Sequence, residues 1–114
     1  MKKKFETDLW IVGIVKQPIL EFIKKPNKKE IIWLYPENSY QFIADPFGIW
    51  KNNKLYLFVE FLDYRYKKGR IDCIVFDKNL KKISSHNVLK NKSHLSYPFI
   101  IKDEDKIYMI PESS

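Results

Sequence analysis

A chain of 114 residues that is 45% hydrophobic and 16% aromatic can bury the core of one domain, which excludes a disordered segment. Its longest apolar run, residues 9–15, falls far short of the roughly 20 residues of a membrane-spanning helix, and its single cysteine, Cys73, excludes an internal disulfide and a multi-cysteine metal site. The net charge of +7 raises nucleic acid as a partner, yet 19 of the 21 basic residues are lysine; only Arg65 and Arg70 carry the planar fork that phosphate and guanine recognition favours, so nucleic acid is disfavoured.

At the start, Lys2, Lys3 and Lys4 have the charge of a leader peptide, but Glu6 and Asp8 fall where its apolar stretch belongs. With the lone cysteine, this places the protein in the cytoplasm. Residues 9–15 and 31–35 read as strands joined by a lysine-rich stretch, in which residues 19–23 form a helical turn that Pro26 stops. Strands follow at residues 42–50, 54–61, 70–76 and 83–89, and again at 97–101 and 106–111, separated by polar turns. The remaining lysines gather in those turns, at 67–68, 81–82 and 90–92, and read as solvated loop charge.

The chain repeats itself with a period of 52 residues. Pro46, Phe47, Lys54, Tyr56 and Glu60 recur as Pro98, Phe99, Lys106, Tyr108 and Glu112, and Ile49 and Leu55 meet Ile101 and Ile107. Each copy reads as a hairpin, and two further strands between the copies make four short strands per repeat, the pattern of propeller blades. In the strand from Leu55 to Glu60, Leu55, Leu57 and Val59 occupy one face, while Tyr56 and Phe58 precede Glu60 on the other. Both faces are apolar, as expected of a sheet covered on both sides. Pro46 and Pro98, lacking an amide donor, are expected at the start of an innermost edge strand, with Asp45 held extended before the proline. The expected fold is therefore all-β, a fragment of a β-propeller. Residues 1–39 supply lead-in strands of a partial blade, 40–91 one complete four-stranded antiparallel blade, and 92–114 the first half of the next. Propellers close with four or more blades, so the chain is expected to be a piece of a longer protein, poorly stable or self-associating through its open faces.

Asp45 is the first candidate site residue, at the mouth of the expected innermost strand; the alternative is an aspartate that caps a turn. Glu60 and Glu112 hold equivalent places in the two copies, either as rim acids in water or as pocket acids with raised pKa. His94 stands beside Ser93 and Ser96 without a nucleophile-elbow pattern, which leaves it a structural hydrogen-bonding or sugar-contacting role. Trp50, like Trp10 and Trp33, either stacks on a sugar ring or belongs to the core, and Tyr97 takes the position equivalent to Asp45. No glycine-rich phosphate loop, zinc ligand set or nucleotide fingerprint is present, so no cofactor and no metal are expected.

Residues 42–47 (FIADPF), 54–60 (KLYLFVE), 94–99 (HLSYPF) and 108–114 (YMIPESS) carry a resemblance to a five-bladed propeller family. It is the domain preceding the glycosyltransferase of plant glucosamine inositolphosphorylceramide transferase, found in bacteria beside formyltransferase-like or sugar-modifying domains. The resemblance spans roughly residues 8–114 and implies a relation to the propellers of glycoside hydrolase family 43, whose five blades surround a funnel lined with carboxylates. It implies that Asp45, in its Asp-Pro motif, matches their general base. Tyr97 stands where an auxiliary Asp is expected, which argues for binding over hydrolysis. The implied function is recognition or processing of carbohydrate in cell-surface glycan synthesis or modification. The alternatives are a non-catalytic propeller that scaffolds a fused or partner sugar transferase or formyltransferase, and a basic nucleic-acid-binding module.

Overall fold

The computed structural model describes residues 8–114; the lysines at positions 2–4, read above as a leader-like start, lie outside them. Three antiparallel sheets follow one another along the chain. Strands β1 (Val12–Val15) and β2 (Ile31–Leu34) form a hairpin whose connection holds α1 (Ile19–Lys24) and a 3-10 turn (Lys28–Glu30). A four-stranded meander follows, in the order β3 (Gln41–Lys51), β4 (Lys54–Asp63), β5 (Lys68–Phe76) and β6 (Lys82–Leu89). A second hairpin pairs β7 (Leu95–Asp103) with β8 (Lys106–Ser113). Every strand read from the sequence pattern is present, those after residue 40 extended by one or two residues at one or both ends.

The alternation in β4 explains the layering. Leu55, Leu57 and Val59 point to one side, where they pack with Ile43, Ile74, Phe76, Leu80 and Val12 of β1 into the main core. The other side is covered by β7, which lies against β3, β4 and β5 and buries Leu95 and Pro98. The middle sheet is thus covered on both faces, so Val59, Ile71 and Phe76 all lose nearly all solvent exposure. Burial of that completeness contributes about 1.5–3 kcal/mol per large side chain. No barrel closes among the described residues, and the outward face of the β7–β8 hairpin leaves Phe99, Ile101, Tyr108 and Ile110 substantially exposed.

The 52-residue repeat is visible in the backbone. Pairing of β3 with β4 breaks between Ala44 and Phe47, and pairing of β7 with β8 breaks between Ser96 and Phe99. Each break is a β-bulge holding one residue of positive φ, Asp45 at 49° and Tyr97 at 46°, followed by a proline. This corrects two expectations. The prolines lie inside their strands, not at the start, because the bulge removes the ladder bond that a proline could not make. Asp45 is not extended, because the bulge turns the backbone into the left-handed region, where a short polar side chain is tolerated and a tyrosine is strained.

Candidate functional site

The two bulges meet. Asp45 sits on the edge strand β3, and its Oδ2 accepts the backbone N–H of Tyr97 at 3.2 Å, joining equivalent positions of the two repeats. Asp45 and Tyr97, equivalent positions of the two repeats, are thus joined through the tyrosine's amide. Tyr97 remains 49% exposed, its ring packed edge-on against Phe47 at 4.8 Å, and Phe47 contacts Phe99 at 5.8 Å.

One residue pair along, Glu60 of β4 stands opposite Ala44 and is only 6% exposed, under the cover of β7. His94 lies just before β7, its backbone N–H and C=O paired with Ser114 at 3.0 Å each. The His94 Nδ1 accepts the Gly69 N–H at 2.8 Å, and its Nε2 lies 3.0 Å from Glu60 Oε1. Since Nδ1 is an acceptor, the ring proton of the neutral tautomer resides on Nε2 and is donated to Glu60. Burial pushes the Glu60 carboxyl up to about 7, helped by a hydrogen bond to the Asp45 carboxyl and by the negative charges of Asp45 and Glu112. Glu60 therefore retains a proton in part of the population at neutral pH. The resulting order runs from Gly69 N–H to His94, from His94 N–H to Glu60, and from the protonated Glu60 to Asp45, which also receives Tyr97 N–H. Glu112, opposite Ser96 in the second copy, is exposed and acts on Glu60 through its charge.

This arrangement presents two or three carboxyls, a proton available at neutral pH, and an aromatic wall of Phe47, Tyr97 and Phe99. Such a surface can accept and donate hydrogen bonds to hydroxyl groups while a ring covers an apolar face. Among the described residues no cluster of histidine, cysteine, aspartate or glutamate is arranged to hold a metal ion. Trp50 is not brought to this cluster: it lies five residues further along β3, roughly 16 Å away at strand spacing, beside a recess lined by Ile14, Val15 and Leu80.

Gly69 was not singled out by the sequence pattern, yet the site depends on it. A Cβ there would lie 2.3 Å from the Leu95 carbonyl oxygen, 2.9 Å from His94 Cε1 and 3.1 Å from Glu60 Oε1. Only glycine lets β7 approach this closely. A glycine opening a strand, directly after two lysines, reads as part of a turn, and only the close approach of β7 reveals its use.

The opposite face of the middle sheet carries a separate cleft of about 730 Å³. Both arginines of the chain line it. Arg65 donates from Nε and Nη2 to Asp63 at 3.0 and 2.8 Å and stacks on Tyr40, and Arg70 pairs likewise with Asp72 at 2.9 and 3.1 Å over Phe61. The Arg65 guanidinium holds the Asp63 carboxyl well below the usual carboxylate range, assisted by Gln41. The sequence reading named the two arginines but not their pairing: Arg70 and Asp72 share a face of β5 at the two-residue strand period, and Arg65 reaches back from the adjoining turn to Asp63. With both forks already occupied by carboxylates, the arginines are committed to the protein itself.

Residues 32–114 match the family described as glucosamine inositolphosphorylceramide transferase 1, N-terminal. Two curated relatives carry the name glucosamine inositolphosphorylceramide transferase 1, one from Oryza sativa subsp. indica and one from subsp. japonica. Each is 36% identical over 81 residues, a span that takes in 70% of this chain and 10% of the relative. The chain thus corresponds to about a tenth of the length of the curated relatives it matches. No solved structure matches it.

Proposed function

The chain belongs to the glucosamine inositolphosphorylceramide transferase 1 N-terminal family, and from that premise we propose that it is a carbohydrate-recognising domain in the service of a sugar transferase. In this reading β3–β6 is a propeller blade and β7–β8 opens the next, as in the glycoside hydrolase family 43 propellers, and the bulges face a sugar-containing ligand. The observation that carries it is the convergence of Asp45, Glu60, His94 and Glu112, drawn from both repeats, beside Tyr97.

The groups divide the work of holding a polyol. Asp45 accepts hydrogen bonds from hydroxyl groups. Glu60, buried behind Asp45 and sharing a proton with it, sets that carboxyl's orientation and charge, and His94 fixes the orientation of Glu60. Tyr97 offers an exposed ring for an apolar sugar face. With a tyrosine at the position equivalent to Asp45, binding is favoured over hydrolysis, since an inverting hydrolase needs a second carboxyl about 6.5–9.5 Å from the first. The test is a screen of immobilised glycans with the chain and with its Asp45→Asn variant. Binding to a sugar-containing ligand that the variant loses supports the reading, and a folded wild-type chain that binds no glycan contradicts it.

A second reading, a scaffold without ligand, is favoured by one feature: Asp45 already receives the Tyr97 amide and so joins the two repeats. On that reading Asp45→Ala destabilises the chain and no glycan competes for the site.

A further inference from the structure

We infer that the tip of the β1–β2 hairpin, residues 16–28, is a membrane-surface contact that seats its apolar helix in an anionic lipid headgroup layer. The inference stands apart from the carbohydrate reading and uses none of its residues.

Helix α1 buries nothing, although its sequence is Ile-Leu-Glu-Phe-Ile-Lys. Ile19, Leu20 and Ile23 are 69%, 73% and 71% exposed. At spacings of three and four residues, Leu20 and Ile19 both neighbour Ile23, so the three form one continuous patch. The tip that carries them is built, because Gln17 ties its two ends together. Its Nε2 donates to the Lys25 carbonyl at 3.0 Å and its Oε1 accepts the Asn27 N–H at 3.0 Å. The patch is thus presented outward by a fixed turn at the far end of a hairpin, where the middle sheet's core cannot reach it.

Charge decides what covers it. Lys16, Lys24, Lys25 and Lys28 are all exposed around the helix, and none takes part in the three ion pairs of the described residues. From residue 16 to residue 30 the sequence holds five lysines against Glu21 and Glu30, a net charge of +3. Protein interfaces are depleted in lysine at their buried centres. A bilayer surface favours the opposite arrangement, aliphatic side chains inserted by about 5–10 Å with a ring of lysines at the level of anionic headgroups. No helix among the described residues is long and apolar enough to cross a membrane, so the contact lies on the surface.

Co-sedimentation of the 114-residue chain with vesicles of phosphatidylcholine alone, and of phosphatidylcholine with about 30% phosphatidylserine, tests this. The wild type is expected to partition onto the anionic vesicles and to be released by salt. A Leu20→Glu, Ile23→Glu double variant should lose at least tenfold in partitioning with an unchanged circular dichroism spectrum. A Lys24→Ala, Lys25→Ala variant should lose about fivefold per lysine, and it decides the matter should the first variant misfold, since both lysines are exposed. The inference is overturned if the wild type ignores anionic vesicles, if it binds zwitterionic vesicles equally, or if the variants partition as the wild type does. It is equally overturned if light scattering shows α1 joining two copies of the chain, separated by the Leu20 and Ile23 substitutions, with no gain on adding vesicles.

Discussion

Replacing Glu60 by glutamine keeps the side chain's shape and its hydrogen bonds but removes one titration from the folded protein. The Glu60 carboxyl titrates near 7 in the fold against an ordinary value of 4.5, so between those values the folded state binds more protons than the unfolded chain. For a raised carboxyl the associated stability is fully present below 4.5 and is lost as pH rises through about 7. At about 1.4 kcal/mol per pH unit, the loss across that window is roughly 3 kcal/mol. Glutamine mimics the protonated acid, accepting from His94 and donating to Asp45. Urea denaturation of both proteins at about pH 5 and about pH 8 reads the effect through the change in midpoint. The two should be nearly equal at the lower pH, with the variant more stable by up to roughly 3 kcal/mol at the higher. Parallel pH profiles would refute the reasoning, since Glu60 would then be ionised with the same ease folded or unfolded.

Three further outcomes can be checked. Gly69→Ala forces a methyl group against the Leu95 carbonyl and His94 and should cost more than about 2 kcal/mol in urea denaturation; a loss under about 0.5 kcal/mol would show that β7 can give way. Asp45→Asn retains an oxygen for the Tyr97 amide and should leave the thermal midpoint within a few degrees while glycan binding falls, whereas Asp45→Ala should lower both; an asparagine variant that keeps both the midpoint and glycan binding would reduce Asp45 to its backbone bond. Cys73, buried in β5 with its thiol pushed up to about 11 by burial and by the neighbouring Asp72 charge, should resist alkylation at neutral pH until the chain unfolds, and rapid labelling of the native protein would contradict its placement.

The strands were legible because apolar alternation and turn residues are local properties of the chain. The two-sided burial of β4 could be read from Leu55, Leu57 and Val59 against Tyr56 and Phe58, and the repeat from residues 52 positions apart. Asp45, Glu60 and His94 were legible as residues but not as a cluster, since the network depends on β7 folding back over β4 and β5. The bulges were misread as strand starts. A proline announces a missing hydrogen bond, but not whether the strand begins there or merely skips a pair. Gly69 and the two arginine–aspartate pairs escaped because their roles are set by close approach and by packing against Phe61 and Tyr40, which leave no period in the sequence.

The central claim, that the meeting point of the two repeats is a sugar-recognising site, is tested most directly by amide chemical-shift mapping of the labelled 114-residue chain titrated with a glycan returned by the screen. The account predicts perturbations confined to Asp45, Glu60, Gly69, His94 to Tyr97 and Glu112, with the imidazole signals of His94 shifting in step. Perturbations that fall instead on the cleft of Arg65 and Arg70, or that leave His94 and Glu60 untouched at saturation, would contradict it.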